Sequence, residues 1–208
     1  GTCVTILEAT LNLIGAAKNK SLLVLGYPDV YAAGHAVIPV LKHKPIGLEG
    51  IDHLLIGYMK KKGLNVEDIP LLPKGQGWLL VEFYGETKED SDNKAKKLMA
   101  ELKETDNPPD MSLFDDPEQE KMLWEIRESG LGATAWVPGE PMTVPGWEDS
   151  AVPPEKVGDY LKDLRELFNK FGYNPSLYGN FGQGCIHCRV EFDLFTKEGV
   201  DKDKAFTM

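Results

Sequence analysis

Residues 185–195, CIHCRVEFDLF, alternate apolar and polar side chains from Ile186 to Leu194. Ile186, Cys188, Val190, Phe192 and Leu194 fall on one side of an extended chain, and Cys185, His187, Arg189, Glu191 and Asp193 on the other. A period of two is the mark of a strand. This strand must put its first side under helices and leave the second, which carries both charge signs, as a polar face. GWLLVEFYGET (77–87) repeats the pattern, with Leu79, Val81 and Phe83 opposite Trp78, Leu80, Glu82 and Tyr84. Trp and Tyr beside Glu suit a pocket wall or an interface. Alternation alone suits a partly covered sheet face equally well.

Helix-like and strand-like runs alternate around these two strands. VTILEATLNLI (4–14), SLLVLGY (21–27), KPIGLEGID (44–52), MSLFD (111–115) and GWEDSAVP (146–153) read as strands. PDVYAAGHAVIPVLKH (28–43) reads as a helix distorted at Pro39, and HLLIGYMKKKG (53–63) as one stopped by Gly63. KEDSDNKAKKLMAELKE (88–104) is amphipathic. DPEQEKMLWEIRESG (116–130) has Asp116 as its cap and Pro117 in its first position. PPEKVGDYLKDLRELFNKFG (153–172) ends at Gly172, PSLYGNFG (175–182) pairs with 185–195 as a last hairpin, and the tail from Thr196 reads as partly disordered. The order predicts an α+β, ferredoxin-like fold, an antiparallel sheet with helices packed on one face, with room for a duplicated arrangement.

With a net charge of −10 and scattered basic residues, the chain lacks the cationic surface that nucleic-acid binding uses. No apolar run reaches the ~20 residues of a membrane helix. Three cysteines, at 3, 185 and 188, are too few and too clustered for a disulfide framework, which predicts a reducing, cytoplasmic setting. The start at Gly1, in the middle of a strand-like pattern, predicts a fragment of something longer.

Arg127 shares its helical stripe with Leu123, Trp124, Gly130 and Leu131, none of them acidic. Its anion lies elsewhere: a protein acid such as Glu82, Glu148 or Asp149, or a ligand carboxylate gripped by the guanidinium fork. The CIHC stretch is no zinc site on a strand, because Cys188 points away from Cys185 and His187 and no second Cys/His pair exists. It leaves His187 as one ligand of a composite site at most. GNFGQG (179–184) neither opens a helix nor carries the Lys and Ser/Thr of a phosphate loop.

Several stretches, in order and over nearly the whole chain, resemble the C-terminal, substrate-side domain of FAD-linked oxidases of the vanillyl-alcohol-oxidase type. GTCVTILEATLNL resembles that family's GT…ITEATL, PIGLEGID its P…E..D segment and LWEIRESG its W..RE helix. GWEDSAVP resembles its D.SVP strand, and YGNFGQGCIHCRV its GHxGDGNxHxN signature. The GWEDSAVP and GQGCIH variants are most similar to large bacterial members with an added iron–sulphur region, whose cluster would lie downstream.

The resemblance implies residues 1–14 as the end of an FAD-binding domain or its linker strand, and 15–208 as a truncated C-terminal domain. It implies oxidation of a D-2-hydroxy acid of lactate, glycolate or 2-hydroxyglutarate type, with hydride transfer to FAD held largely by the upstream domain. The fragment alone would be inactive. Its setting would be cytoplasmic, with the inner face of the membrane as a peripheral location. Arg127 takes the position of the arginine that holds the substrate carboxylate. His187 and Arg189 join it as catalytic candidates, and Gly1, Thr2, Gly182 and Gly184 are cofactor-binding candidates. Relatives can hold a divalent metal on two signature histidines. Here Asn180 replaces the first, so a metal would rest on His187 with Asn180. The rival reading is a non-catalytic ferredoxin-like module that recruits a partner or small effector on an open sheet face.

Overall fold

β1 (Asn19–Tyr27) is buried from Ser21 to Tyr27 in a computed structural model that describes residues 5–13 and 18–208, the Glu148 side chain excepted. It leads into α1 (Val30–His35) and α2 (Val37–Leu41). The single helix expected here is divided at Ala36. Pro39 has no N–H to offer the carbonyl of His35, and its ring crowds that carbonyl. β2 (Gly47–Asp52), α3 (His53–Lys62), β3 (Gly77–Gly85), α4 (Lys88–Lys103) and β4 (Asp110–Phe114) follow. The four strands form one antiparallel sheet in the order β2-β3-β1-β4, the ferredoxin-like arrangement, with α3 inserted between its middle two strands in sequence. Asp52 starts α3 by accepting the Leu55 N–H at 2.9 Å, and Gly63 ends it at φ +68°.

The second half runs through α5 (Pro117–Glu128), α6 (Gly130–Thr134), β5 (Val144–Ala151), α7 (Val157–Phe171), β6 (Cys185–Val190) and α8 (Lys197–Thr207). β5 and β6 pair as a separate two-stranded antiparallel sheet, so among the described residues the second unit is no full copy of the first.

The α+β class is as expected, but its layering is fuller. Leu23, Leu25, Leu79, Val81 and Phe83 pack with α1, α4, α7 and the apolar side of β6. On the other face Leu22, Val24, Ile51, Trp78 and Leu80 lie beneath Leu55 and Met59 of α3, Leu123 and Ile126 of α5 and Ala133 of α6. Helices therefore cover both faces of the large sheet, and the Trp78 side of β3 is core, not a pocket wall. The polar face that stays accessible belongs to β6.

Three expectations change. Residues 5–13 form no strand and are exposed. PSLYGNFG is not a regular strand: Tyr178 bridges to His187, Gly179 bridges to Gly50, and Phe181–Gln183 make a short 3-10 turn. The tail is helical. Thr196 caps α8 by accepting the Gly199 N–H at 3.0 Å, and Phe206 is buried. The β6 alternation holds for Ile186, Cys188, Val190 and Phe192, but Leu194 is 49% exposed because the strand ends at Val190.

Candidate active site

Arg127 lies in the last turn of α5, the helix that Asp116 opens by accepting the N–H groups of Glu118 and Gln119. Leu123 and Ile126 hold the helix on the sheet, which carries the Arg127 side chain to the β2 edge. There Nε donates to Glu49 Oε2 at 2.9 Å, and Nη2 is 2.8 Å from the same oxygen. The two side chains are only 14% and 11% exposed. Burial raises the Glu49 pKa, against the opposing pull of Arg127 and Asn180. Nη1 has no hydrogen-bond partner among the described residues.

Glu49 was not among the acids expected to pair with Arg127. Glu82 instead meets Lys20 at 3.1 Å and accepts from Trp124 Nε1 at 3.2 Å. Asp149 sits with His187, and the side chain of Glu148 lies outside the described residues. A signal for Glu49 was present in the strand: an acid between Leu48 and Ile51 has to be paired if that strand is buried.

β6 presents His187 next to this pair. Its Nε2 is 3.2 Å from Asn180 Oδ1, and Asn180 Nδ2 donates to Glu49 Oε1 at 2.9 Å. Its Nδ1 is 3.3 Å from Asp149 Oδ1 and 3.4 Å from the Asp149 backbone nitrogen. Asp149 takes a left-handed conformation, φ +59°, which turns both groups toward the ring. The Tyr178 ring fills the space between, 5.4 Å from the Arg127 guanidinium and 5.7 Å from the His187 ring. Arg127, Glu128, Leu131, Asp149, Tyr178 and His187 line one cavity of about 240 Å³.

The fold thus joins Arg127 and His187, 60 residues apart in sequence, on one cavity wall. Arg189 lies farther along β6, where Nη2 donates to the Thr143 carbonyl at 3.2 Å and Nε to Thr143 Oγ1 at 3.3 Å. Gly1 and Thr2 lie outside the described residues. A Cβ on Gly182 would approach Leu48 Cβ at 3.0 Å, and one on Gly184, at φ +72°, would meet the Val152 carbonyl oxygen at 1.8 Å. The chain's own packing accounts for both glycines, and neither leaves a cradle that a cofactor would fill.

The donor set does not fit a divalent metal. Asn180 and His187 turn the atoms a metal would need toward each other, and an amide oxygen is a poorer zinc ligand than imidazole. Cys188 is buried on the far side of β6, with Sγ donating to the Trp147 carbonyl at 3.4 Å. Among the described residues no three His, Cys, Asp or Glu side chains are grouped to hold a metal ion. Protein purified without chelator, with any histidine tag removed, is expected to carry no stoichiometric zinc by elemental analysis. One zinc per chain, lost in His187→Ala, would overturn this.

The sequence matches the family described as FAD linked oxidases, C-terminal domain, over residues 16–208. It is 26% identical over 201 residues to a D-2-hydroxyglutarate dehydrogenase of Pseudomonas putida, covering 93% of this chain and 20% of that protein. It is 23% identical to a mitochondrial D-lactate dehydrogenase [cytochrome] of Arabidopsis thaliana, covering 95% of this chain and 34% of that protein. The chain therefore spans about a fifth to a third of the length of these relatives. In fold it is similar to a 4-ethylphenol oxidase from Gulosibacter chungangensis, with a TM-score of 0.56, 11% identity, and coverage of 90% of this chain and 42% of the other. Among the described residues no helix is long and apolar enough to cross a membrane.

Proposed function

Since the chain belongs to the family of FAD linked oxidase C-terminal domains, we propose that it is the substrate-side domain of a flavin-dependent dehydrogenase that oxidises a D-2-hydroxy acid. The observation that carries this reading is the shared cavity of Arg127 and His187. A 2-hydroxy acid has a carboxylate and an adjacent hydroxyl, which call for a fixed cation and a nearby hydrogen-bonding group. Arg127 supplies the cation. Glu49 takes its Nε and Nη2 and so fixes the plane of the guanidinium, with Nη1 left for a substrate oxygen. His187, whose Nε2 is held by Asn180, turns Nδ1 to the exposed Asp149 and would offer that nitrogen to the hydroxyl in its place. Arg189, farther along the same strand face and held by Thr143, adds positive charge beyond the cavity.

FAD, held by an FAD-binding domain that works with this one, is the two-electron acceptor. This domain contributes orientation and electrostatics. Relatives named as dehydrogenases of D-2-hydroxyglutarate and D-lactate support this substrate class over a non-catalytic binding module.

The test is a panel of D- and L-2-hydroxy acids, assayed on the intact enzyme with an artificial dye as acceptor. A D-2-hydroxy acid should be turned over and its L enantiomer not. Failure of every hydroxy acid, with flavin present and reducible by dithionite, would overturn the assignment.

A further inference from the structure

We propose that Glu49 is a positioning residue that sets Arg127 and His187 in one frame and selects the tautomer of His187. The relay stands on geometry, and its kinetic consequences rest on the hydroxy-acid reading above. The two carboxylate oxygens of Glu49 divide the work: Oε2 meets Arg127 Nε and Nη2, and Oε1 meets Asn180 Nδ2. An ionised carboxylate only accepts hydrogen bonds. The Asn180 amide must therefore turn its NH2 to Glu49, which leaves Oδ1 facing His187 Nε2 at 3.2 Å. Oδ1 only accepts as well, so Nε2 carries the proton and Nδ1 of the neutral ring holds the lone pair. Asp149 faces Nδ1 with its N–H at 3.4 Å, which agrees with this assignment; its exposed carboxylate, with Oδ1 3.3 Å from Nδ1, pairs with the ring only when Nδ1 is protonated as well.

A single buried acid on the β2 edge thus decides which ring nitrogen of a β6 histidine is the acceptor.

The order of donors and acceptors reverses in Glu49→Gln. The new amide turns its oxygen to Arg127 and its NH2 to Asn180. The Asn180 amide must then flip, offering its NH2 to Nε2 of His187, and the ring moves its proton to Nδ1. Nitrogen-15 spectra of histidine-labelled 208-residue chain report the tautomer directly. They are recorded at about pH 8, above the usual histidine range, and His187 is identified by signal loss in His187→Gln. The expected result is an Nε2–H tautomer in the native chain and an Nδ1–H tautomer in Glu49→Gln. Asn180→Ala provides a second variant that leaves the Arg127–Glu49 pair in place, and there the two tautomers should mix. An Nδ1–H tautomer in the native chain, or an unchanged tautomer in both variants, overturns the proposal.

Kinetics of the intact enzyme add an independent readout. Asn180→Ala should lower kcat by about tenfold, the loss of one orienting bond of roughly 1.4 kcal/mol, with KM little changed. Glu49→Gln should raise KM as well, because it loosens Arg127. Equal effects of the two variants on kcat and KM would overturn the division of roles. If the tautomers follow expectation but no hydroxy acid is oxidised, the relay stands and the substrate reading falls.

Discussion

Arg127→Lys in the intact enzyme is expected to lower kcat/KM for its 2-hydroxy acid by roughly 10- to 150-fold, with a much smaller effect on stability. The guanidinium has several donors, of which Glu49 takes Nε and Nη2. It can satisfy Glu49 and a substrate carboxylate together, each with its own N–H groups. A lysine ammonium keeps the charge but concentrates it at one point. Glu49, only 11% exposed, would capture that charge and so keep the buried pair intact. What disappears is the contact to substrate. A lost charge-assisted hydrogen bond costs about 1.5–3 kcal/mol, which sets the range of the fall in kcat/KM. Steady-state kinetics beside thermal melting decide it. Unchanged kinetics with a lowered melting temperature would make Arg127 a purely structural partner of Glu49.

Phe206→Ala is expected to destabilise the fold by about 3–5 kcal/mol, the usual cost of removing a buried aromatic ring. The total stability of a domain this size is on the order of 5–15 kcal/mol, so the loss is severe. Phe206 is 4% exposed, and its ring lies among those of Trp147, Phe168, Phe171, Tyr173 and Phe192 at centroid distances of 5.0–5.6 Å. Those rings come from β5, α7 and the two segments that flank β6, so α8 closes the second half of the fold. Its residues hold little else in the core, since only Gly199 and Phe206 are buried in it. Urea unfolding followed by tryptophan fluorescence measures the change. An unfolding free energy within about 1 kcal/mol of the native value, well short of that cost, would mean that α8 is not docked as described.

Phe206 also shows where sequence reading stops. The tail is polar apart from Val200, Ala205, Phe206 and Met208, and one aromatic in such a run gives no amphipathic stripe. Its burial depends on a cleft built by segments up to 60 residues earlier, which local pattern does not contain. Residues 4–14 fail in the opposite sense. They have the apolar content of a strand, yet in the described part Ile6, Leu7, Leu11 and Leu13 are 75–96% exposed. A strand is made by its neighbour as much as by its own side chains, and no described strand pairs with this segment.

What the sequence determined by itself is set by short-range sterics and solvation. The strands at 77–85 and 185–190, the caps at Asp52 and Asp116, the left-handed stops at Gly63 and Gly172, and the dry side of β6 all depend on a few adjacent residues. The resemblance added the family and singled out Arg127 and His187. What only the tertiary structure decided is which groups face each other across chain separations of tens of residues. It covered both faces of the large sheet, and it chose Glu49 over Glu82 and Asp149 as the partner of Arg127. It also set Asn180 between Glu49 and His187. The physical reason is that a buried charge must find a counter-charge wherever the packed helices and strands bring one within about 3 Å, and that meeting is fixed by how α5, β2 and the 176–184 segment dock, not by the residues beside Arg127 in the chain.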